Sequence, residues 1–437
     1  MAPFALMNSM ILLALMALPA SGAPGHVIWT RAYNAKPSGS DVGESVVVTP
    51  SGSEVVVTGL STTVAYDPAS GATDWKVPAP TDSRNFAAAS ASSAFIARST
   101  FGASSEDFVI DALDPATGSA QWASLYDTPD ATDDYVGALT VSADGSTVFV
   151  SGESQYQNAT DGDITTVAFD ADTGVRLWAR RYDGPATGYD YERPFAMDAS
   201  SDAGLVVVTG ESVSLAGSAV FVTIAYSGAT GKRLWTKRID LSRGSGVAIA
   251  PDAASVYLTG QTRFPTIALD AATGARLWIS RFEGATSDAD RGSDIEVSPD
   301  GSTVFATGVV DDSEVGTVAY DAVTGAQLWA KTYQGPNGYA EPLDLALSSD
   351  GSRLVIGGFE ATLVNGSISD FTFDFLTIAY GAAAGTKLWR RSYDGPDGLG
   401  DVAASVAIAP DGSAAFVTGS SRSATTSDDY RTFSYKL

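Results

Sequence analysis

Apolar and polar residues alternate along this chain in short runs, and turn-forming clusters interrupt them every 8–12 residues. The block around Asp300 shows the unit. Ser293-Asp-Ile-Glu-Val-Ser298 alternates into Pro299-Asp-Gly-Ser302, where glycine supplies the positive φ of a tight turn. Thr303-Val-Phe-Ala-Thr-Gly308 leads out, and Thr317-Val-Ala-Tyr320 follows a variable loop. Asp321-Ala-Val-Thr-Gly325 is the next turn, and Gln327-Leu-Trp-Ala-Lys-Thr-Tyr333 closes the unit. Period-two runs rich in Val, Ile, Thr, Tyr and Phe predict antiparallel strands, four to each unit.

All 8 tryptophans occupy one point of this phrase: Trp29, Trp75, Trp122, Trp178, Trp235, Trp278, Trp329 and Trp389. Their spacings run from 43 to 60 residues, so strands are constant and loops vary. Asp-Gly turns recur at Asp144, Asp300, Asp350 and Asp411, with looser versions at Ser51, Asp202 and Asp252. The stretch Phe86 to Ser99 has no clear turn and is the most degenerate copy. The chain starts mid-phrase at Val27-Ile-Trp29 and stops on the opening half, Arg431 to Leu437. Repeats split between the termini predict an all-β, eight-bladed β-propeller with four-stranded blades, one of them shared by the two ends. An open solenoid would need polar capping repeats instead. The tryptophans then read as structural pegs, because equivalent outer-strand residues cannot all line one site.

Composition narrows the setting. Residues 1–22 read as a signal peptide: the apolar run Met10–Leu18 is short for a membrane span and small residues follow it, although the region before it lacks Lys and Arg. Residues 23–437 then form a single exported domain, secreted, periplasmic or cell-surface. There is no cysteine, so no disulfide staples it. The formal net charge of −25 argues against nucleic acid and anionic membranes as partners. A monomer without a membrane span is expected.

The phrase Ala-x-Asp-x-x-Thr-Gly-x-x-x-Trp occurs as Ala112 to Trp122, Ala168 to Trp178, Ala268 to Trp278 and Ala319 to Trp329. It resembles the tryptophan-docking repeat of the quinoprotein-dehydrogenase-like propellers, the PQQ-type repeat, and of short secreted bacterial propellers of unassigned activity. The resemblance covers the mature chain and implies the scaffold. The enzymes of that superfamily hold pyrroloquinoline quinone and calcium in a central funnel, under a vicinal cysteine pair that this sequence lacks. No counterpart of their catalytic Asp or calcium ligands is found, so the quinone is not expected. Assembly-factor propellers of the outer membrane share the repeat and catalyse nothing.

The single histidine, His26, makes Ser-His-Asp, zinc and haem chemistry improbable. Carboxylates remain. Asp41, Asp134, Asp290 and Asp401 lie at one register, with Glu341 one residue later in its repeat and Glu192 one earlier. They are candidate cation or polyol ligands on an acidic loop face, or strand-entry caps. Asp288-x-Asp290-x-Gly-x-Asp294 alternates oxygen ligands as calcium loops do, without the closing Glu. The longest insertions, 153–164 and 360–375, carry the sequons at Asn158 and Asn365; the second also carries Phe371, Phe373 and Phe375, which read as the buried side of a strand or an exposed patch.

The sequence therefore predicts a noncatalytic binding or scaffold module, with a protein, glycan or cation ligand. The competing class is an enzyme, quinone-dependent or a carboxylate-based glycan-active one.

Overall fold

The computed structural model describes residues 22–34, 40–79, 84–101, 105–129, 131–156, 162–185, 191–213, 219–282, 287–363, 371–425 and 427–437. The expected signal segment and both sequons lie outside these residues, save Gly22. Among the described residues the structure is all strand: 32 strands and no helix, hence none long and apolar enough to cross a membrane. Six sheets have four antiparallel strands each. The seventh, spanning 131–239, joins two such meanders through one parallel pairing, Gly162 with Tyr191.

The first strand of each meander packs on the next. Gly43–Val48 contacts Phe86–Ala89, and the series continues through Ala131–Val141, Tyr191–Ala199, Gly244–Ile249, Arg291–Val297, Ala340–Leu347 and Asp401–Ile408. Asp401–Ile408 in turn packs on Gly43–Val48. In the last sheet Val27–Tyr33 pairs antiparallel with Ser427–Lys436. Middle strands such as Val55–Gly59 and Thr62–Tyr66 are buried throughout, which is why they read as continuous apolar runs. This is the layout of a β-propeller.

The repeated phrase has a direct structural meaning. Seven of the eight indoles lie under the turn glycine of the following meander: Trp75 under Gly118, Trp122 under Gly174, Trp329 under Gly385, for example. Gly118 has φ +68°, and a Cβ there would stand 2.5 Å from the Trp75 ring. Glycine is required twice over, by conformation and by contact. The indole N–H donates to a carbonyl of the same turn, as from Trp178 to Gly228 O at 2.6 Å and Trp235 to Ala271 O at 2.8 Å. The turn aspartate holds the turn shut: Asp170 Oδ1 accepts from Thr173 N–H at 2.9 Å and Oγ1 at 2.6 Å. These bonds hold the Asp170 carboxyl below the ordinary carboxylate value.

Three local readings change. The degenerate copy does turn, at Ser90–Ser93, where the Ser90 hydroxyl accepts the Ser92 and Ser93 amides in place of a glycine turn. The described residues of the insertions at 153–164 and 360–375 are strand, because Thr147–Tyr156 and Arg353–Leu363 run on as hairpins with Gly162–Asp170 and Phe371–Gly381. Of the three phenylalanines Phe375 is buried, Phe373 packs edge-on against Phe359 with centroids 4.7 Å apart, and Phe371 is exposed.

Candidate functional site

The acids at the common register open the first strands and are buried. Most fold back on the loop before them. Asp134 Oδ2 accepts Thr128 N–H at 2.8 Å, Asp290 Oδ2 accepts Ser287 N–H at 2.9 Å, and Asp401 Oδ2 accepts Gly395 N–H at 2.7 Å. Asp41 accepts the Ser61 hydroxyl, and Glu192 accepts that of Ser212 at 2.6 Å. Glu341 accepts the Tyr339 hydroxyl at 2.7 Å and pairs with Arg291 at 2.8 Å. The fold thus puts them at equivalent places in separate four-stranded meanders. Nor does it gather Asp288, Asp290 and Asp294. Asp288 is exposed and paired with Arg263 at 2.6 Å, while Asp294 faces the channel described next.

Side chains from different sheets do meet along the first strands. A cavity of about 300 Å³ is lined from five of them, by Phe86, Leu139, Phe195, Asp198, Asp294 and Glu296 among others. A β-bulge interrupts most of these strands, between Gly292 and Asp294 and between Pro342 and Asp344, for example. The residue after the bulge then reaches sideways to the next strand. Asp294 Oδ2 accepts Leu345 N–H at 3.1 Å, and Asp344 Oδ2 accepts Val406 N–H at 2.6 Å. Ser405 Oγ accepts Val46 N–H at 3.3 Å, and Ser45 Oγ accepts Ala87 N–H at 3.2 Å. One level deeper, Asp198 Oδ2 accepts Ile249 N–H at 2.7 Å. A seam of side-chain-to-amide bonds therefore links sheet to sheet and crosses the junction of the chain ends.

The carboxylates of this seam are hard to ionise. They keep some access to the channel, but protein surrounds them on every side. Burial, with the neighbouring Asp344 and Glu296, holds the Asp294 carboxyl well above the ordinary range. Burial, reinforced by Asp198 and Asp344, pushes Glu296 up to about 8. Asp198 is pushed up to about 6 by burial, against two backbone N–H donors. Sequence reasoning missed Asp198, Glu296 and Asp344. A signal was present: Asp294, Asp344 and Ser405 each stand six residues before their turn aspartate, and Asp198 and Glu296 four before theirs.

Above the seam, Arg193, Arg243 and Arg291 hold one register of three successive sheets. Arg193 pairs with Glu153 at 2.5 Å, and the Arg243 guanidinium lies over Phe195, 4.4 Å from its centroid. With Arg291 paired to Glu341 and Glu211 beside Arg193 and Arg243, this rim is of mixed charge.

A family model for the outer membrane protein assembly factor BamB matches residues 15–215 and 219–428. The chain belongs to this BamB family. No curated protein sequence matches it. Among solved structures it is similar to BamB from Moraxella catarrhalis, with TM-score 0.51, 13% identity, and coverage of 94% of this chain and 99% of that one. It is also similar to quinohemoprotein alcohol dehydrogenase from Comamonas testosteroni, with TM-score 0.59, 13% identity, and coverage of 94% and 76%. At such identity the likeness carries the fold alone, a PQQ-type repeat β-propeller.

Pyrroloquinoline quinone, implied by the dehydrogenase side of that fold, is a polycarboxylate. The charged residues lining the channel of this BamB-family chain are Asp198, Asp294 and Glu296, with no lysine or arginine among the lining residues. Acids forced toward neutrality by burial, with neighbouring acids adding to it at Asp294 and Glu296, offer no counter-charge, so these residues do not fit that group.

Proposed function

We propose that the chain is an exported, monomeric, noncatalytic binding scaffold: eight four-stranded blades closed into a ring over residues 23–437, with the bulged rim as its contact face for a protein partner. The observation that carries this reading is where the carboxylates go. Asp134, Asp290 and Asp401 each commit an oxygen to a strand-entry loop and Asp41 to the turn between the next two strands, while Asp294 and Asp344 bind amides of adjacent sheets. Acids occupied in this way hold a framework together and are poorly placed for turnover.

Closure is supported by the succession of tryptophan contacts, which continues from Trp389 to Gly25 across the termini. It is supported too by the pairing of Val27–Tyr33 with Ser427–Lys436. Export is supported by the apolar Met10–Leu18 run. A protein partner follows from the family's description as an assembly factor. The rim suits one: Arg193, Arg243 and half-exposed Leu343 offer charge, cation–π and apolar contact within a rigid frame.

The test is photo-crosslinking from positions 193, 243 and 343 in the native envelope. A discrete adduct to one envelope protein is expected, and only diffuse labelling would sink the proposal. A second reading, acid–base catalysis on a glycan, draws on Glu296, held protonated near neutrality beside Asp198 and between aromatic walls. Turnover of a glycan panel that disappears in Glu296→Gln would favour it.

A further inference from the structure

We propose that Asn337 is a site of covalent self-modification, at which its side-chain amide is lost and its turn comes free of the strand it is tied to. Asn337 and Gly338 are both exposed, in the turn between the strands Gln327–Gln334 and Ala340–Leu347. Gly338 has φ +83°, and nothing but its chain neighbours stands within 4 Å of where a Cβ would be. A glycine nitrogen this bare is an unhindered nucleophile, and asparagine is a chemically labile residue.

The Gly338 nitrogen gives up its proton and attacks Asn337 Cγ. The bond from Cγ to Nδ2 breaks, ammonia leaves, and a five-membered succinimide closes. Water then opens the ring at either carbonyl, giving aspartate or, with an extra backbone methylene, isoaspartate. Water is the only co-reactant. Two bonds hold the reacting groups until the turn opens: Gly338 N–H donates to Gly335 O at 3.0 Å, and Asn337 Nδ2 donates to Ala361 O at 2.9 Å. Both belong to a turn whose residues 336–338 are solvent-exposed, where local opening costs little.

The next sheet repeats the turn with the acid already in place. Gly395-Pro-Asp-Gly398 matches Gly335-Pro-Asn-Gly338, and Gly398 N–H donates to Gly395 O at the same 3.0 Å. There Asp397 accepts the Ala424 N–H at 2.9 Å. Asn337 faces a carbonyl instead. A carboxylate at 337 has no hydrogen to donate to Ala361 O, and the two oxygens repel. Ala361 N–H also donates to Tyr339 O at 2.9 Å, and the Tyr339 ring packs on Phe359 and Phe373. Losing the Asn337 bond therefore loosens the tie between this turn and the Arg353–Leu363 strand.

The experiment ages the purified, folded full chain at body temperature in mildly alkaline buffer and follows it by peptide mass mapping and hydrogen exchange. The peptide holding residue 337 should gain one mass unit over weeks, with isoaspartate in the product. Arg353 separates it from the peptide of the other Asn-Gly pair, Asn365-Gly366, which is scored apart. Gly338→Ala should slow the conversion several-fold, and Asn337→Gln should stop it. Asn337→Asp should exchange the Ala361 amide several-fold faster than the fresh parent, and the aged parent should move toward that rate. An unmodified Asn337 after ageing overturns the site. Conversion that leaves Ala361 exchange unchanged overturns the release of the turn.

Discussion

A tryptophan in this chain does two jobs at once, and the eighth copy separates them. Burying an indole removes about 150–250 Å² from water, a gross gain of about 4–6 kcal/mol. The N–H bond to the next turn adds direction. Trp178 has both, with its ring under Gly231 and its N–H on Gly228 O. Trp389 has only the first: its ring lies under Gly25, but its Nε1 is buried without an acceptor. The Asp-x-x-Thr-Gly turn is missing at that junction because the chain's own N-terminal segment stands in its place. Replacement by phenylalanine should therefore cost more at Trp178 than at Trp389, by about 1 kcal/mol. Urea unfolding of the two variants measures the difference, and equal losses would remove the N–H bond from the account.

At the scale of the strand, the seam carboxylates couple stability to pH. Glu296 and Asp198 have folded-state values of about 8 and about 6, above the ordinary carboxylate values they regain on unfolding. The folded protein thus binds more protons than the unfolded chain, and stability falls as pH rises from about 4.5 toward 8. The turn aspartates act oppositely. Asp300 and Asp350 are held down to about 2 by serine hydroxyls and amides, and stability is lost as pH falls through that range. The melting point should peak in mildly acidic solution and decline toward pH 8. Glu296→Gln should flatten the alkaline side; an unchanged profile in that variant would mean the channel is wetter than its walls imply.

The strands and turns behind this behaviour were legible in sequence because each is set by local chemistry: period-two burial, Asp-Gly φ, the Asp-to-Thr bond. Asp290 and Asp401 could be aligned in sequence for the same reason. What they bind could not, because a carboxylate on a common register can cap its own loop or face its neighbours, and a bulge of one residue decides which. The seam of Asp294 and Asp344 depends on that bulge together with a strand some fifty residues away.

For the whole molecule, the ends matter most. Val27–Tyr33 contributes Trp29 to a sheet otherwise built from 401–436, with Trp29 opposite Ser434 and Tyr33 opposite Tyr430. Gly25 N–H donates to Lys436 O at 2.6 Å and Lys436 N–H returns to His26 O at 2.9 Å. Tyr430 reaches into the following sheet, donating to Thr62 O at 2.6 Å. With no disulfide to share the load, this noncovalent zipper ties together termini separated by the entire chain, so it closes the longest loop in the molecule. Removing residues 431–437 should strip the partner of Val27–Tyr33, expose Trp29 and lower and broaden the thermal transition. Topology can be tested separately from composition. A circular permutant that links Leu437 to Gly22 and opens at the exposed Asn337-Gly338 turn keeps every pairing and makes the zipper covalent. It should melt at or above the parent temperature and lose its sensitivity to the old ends. A truncated chain that melts like the parent would instead mean that the pairing of the two ends contributes nothing to stability.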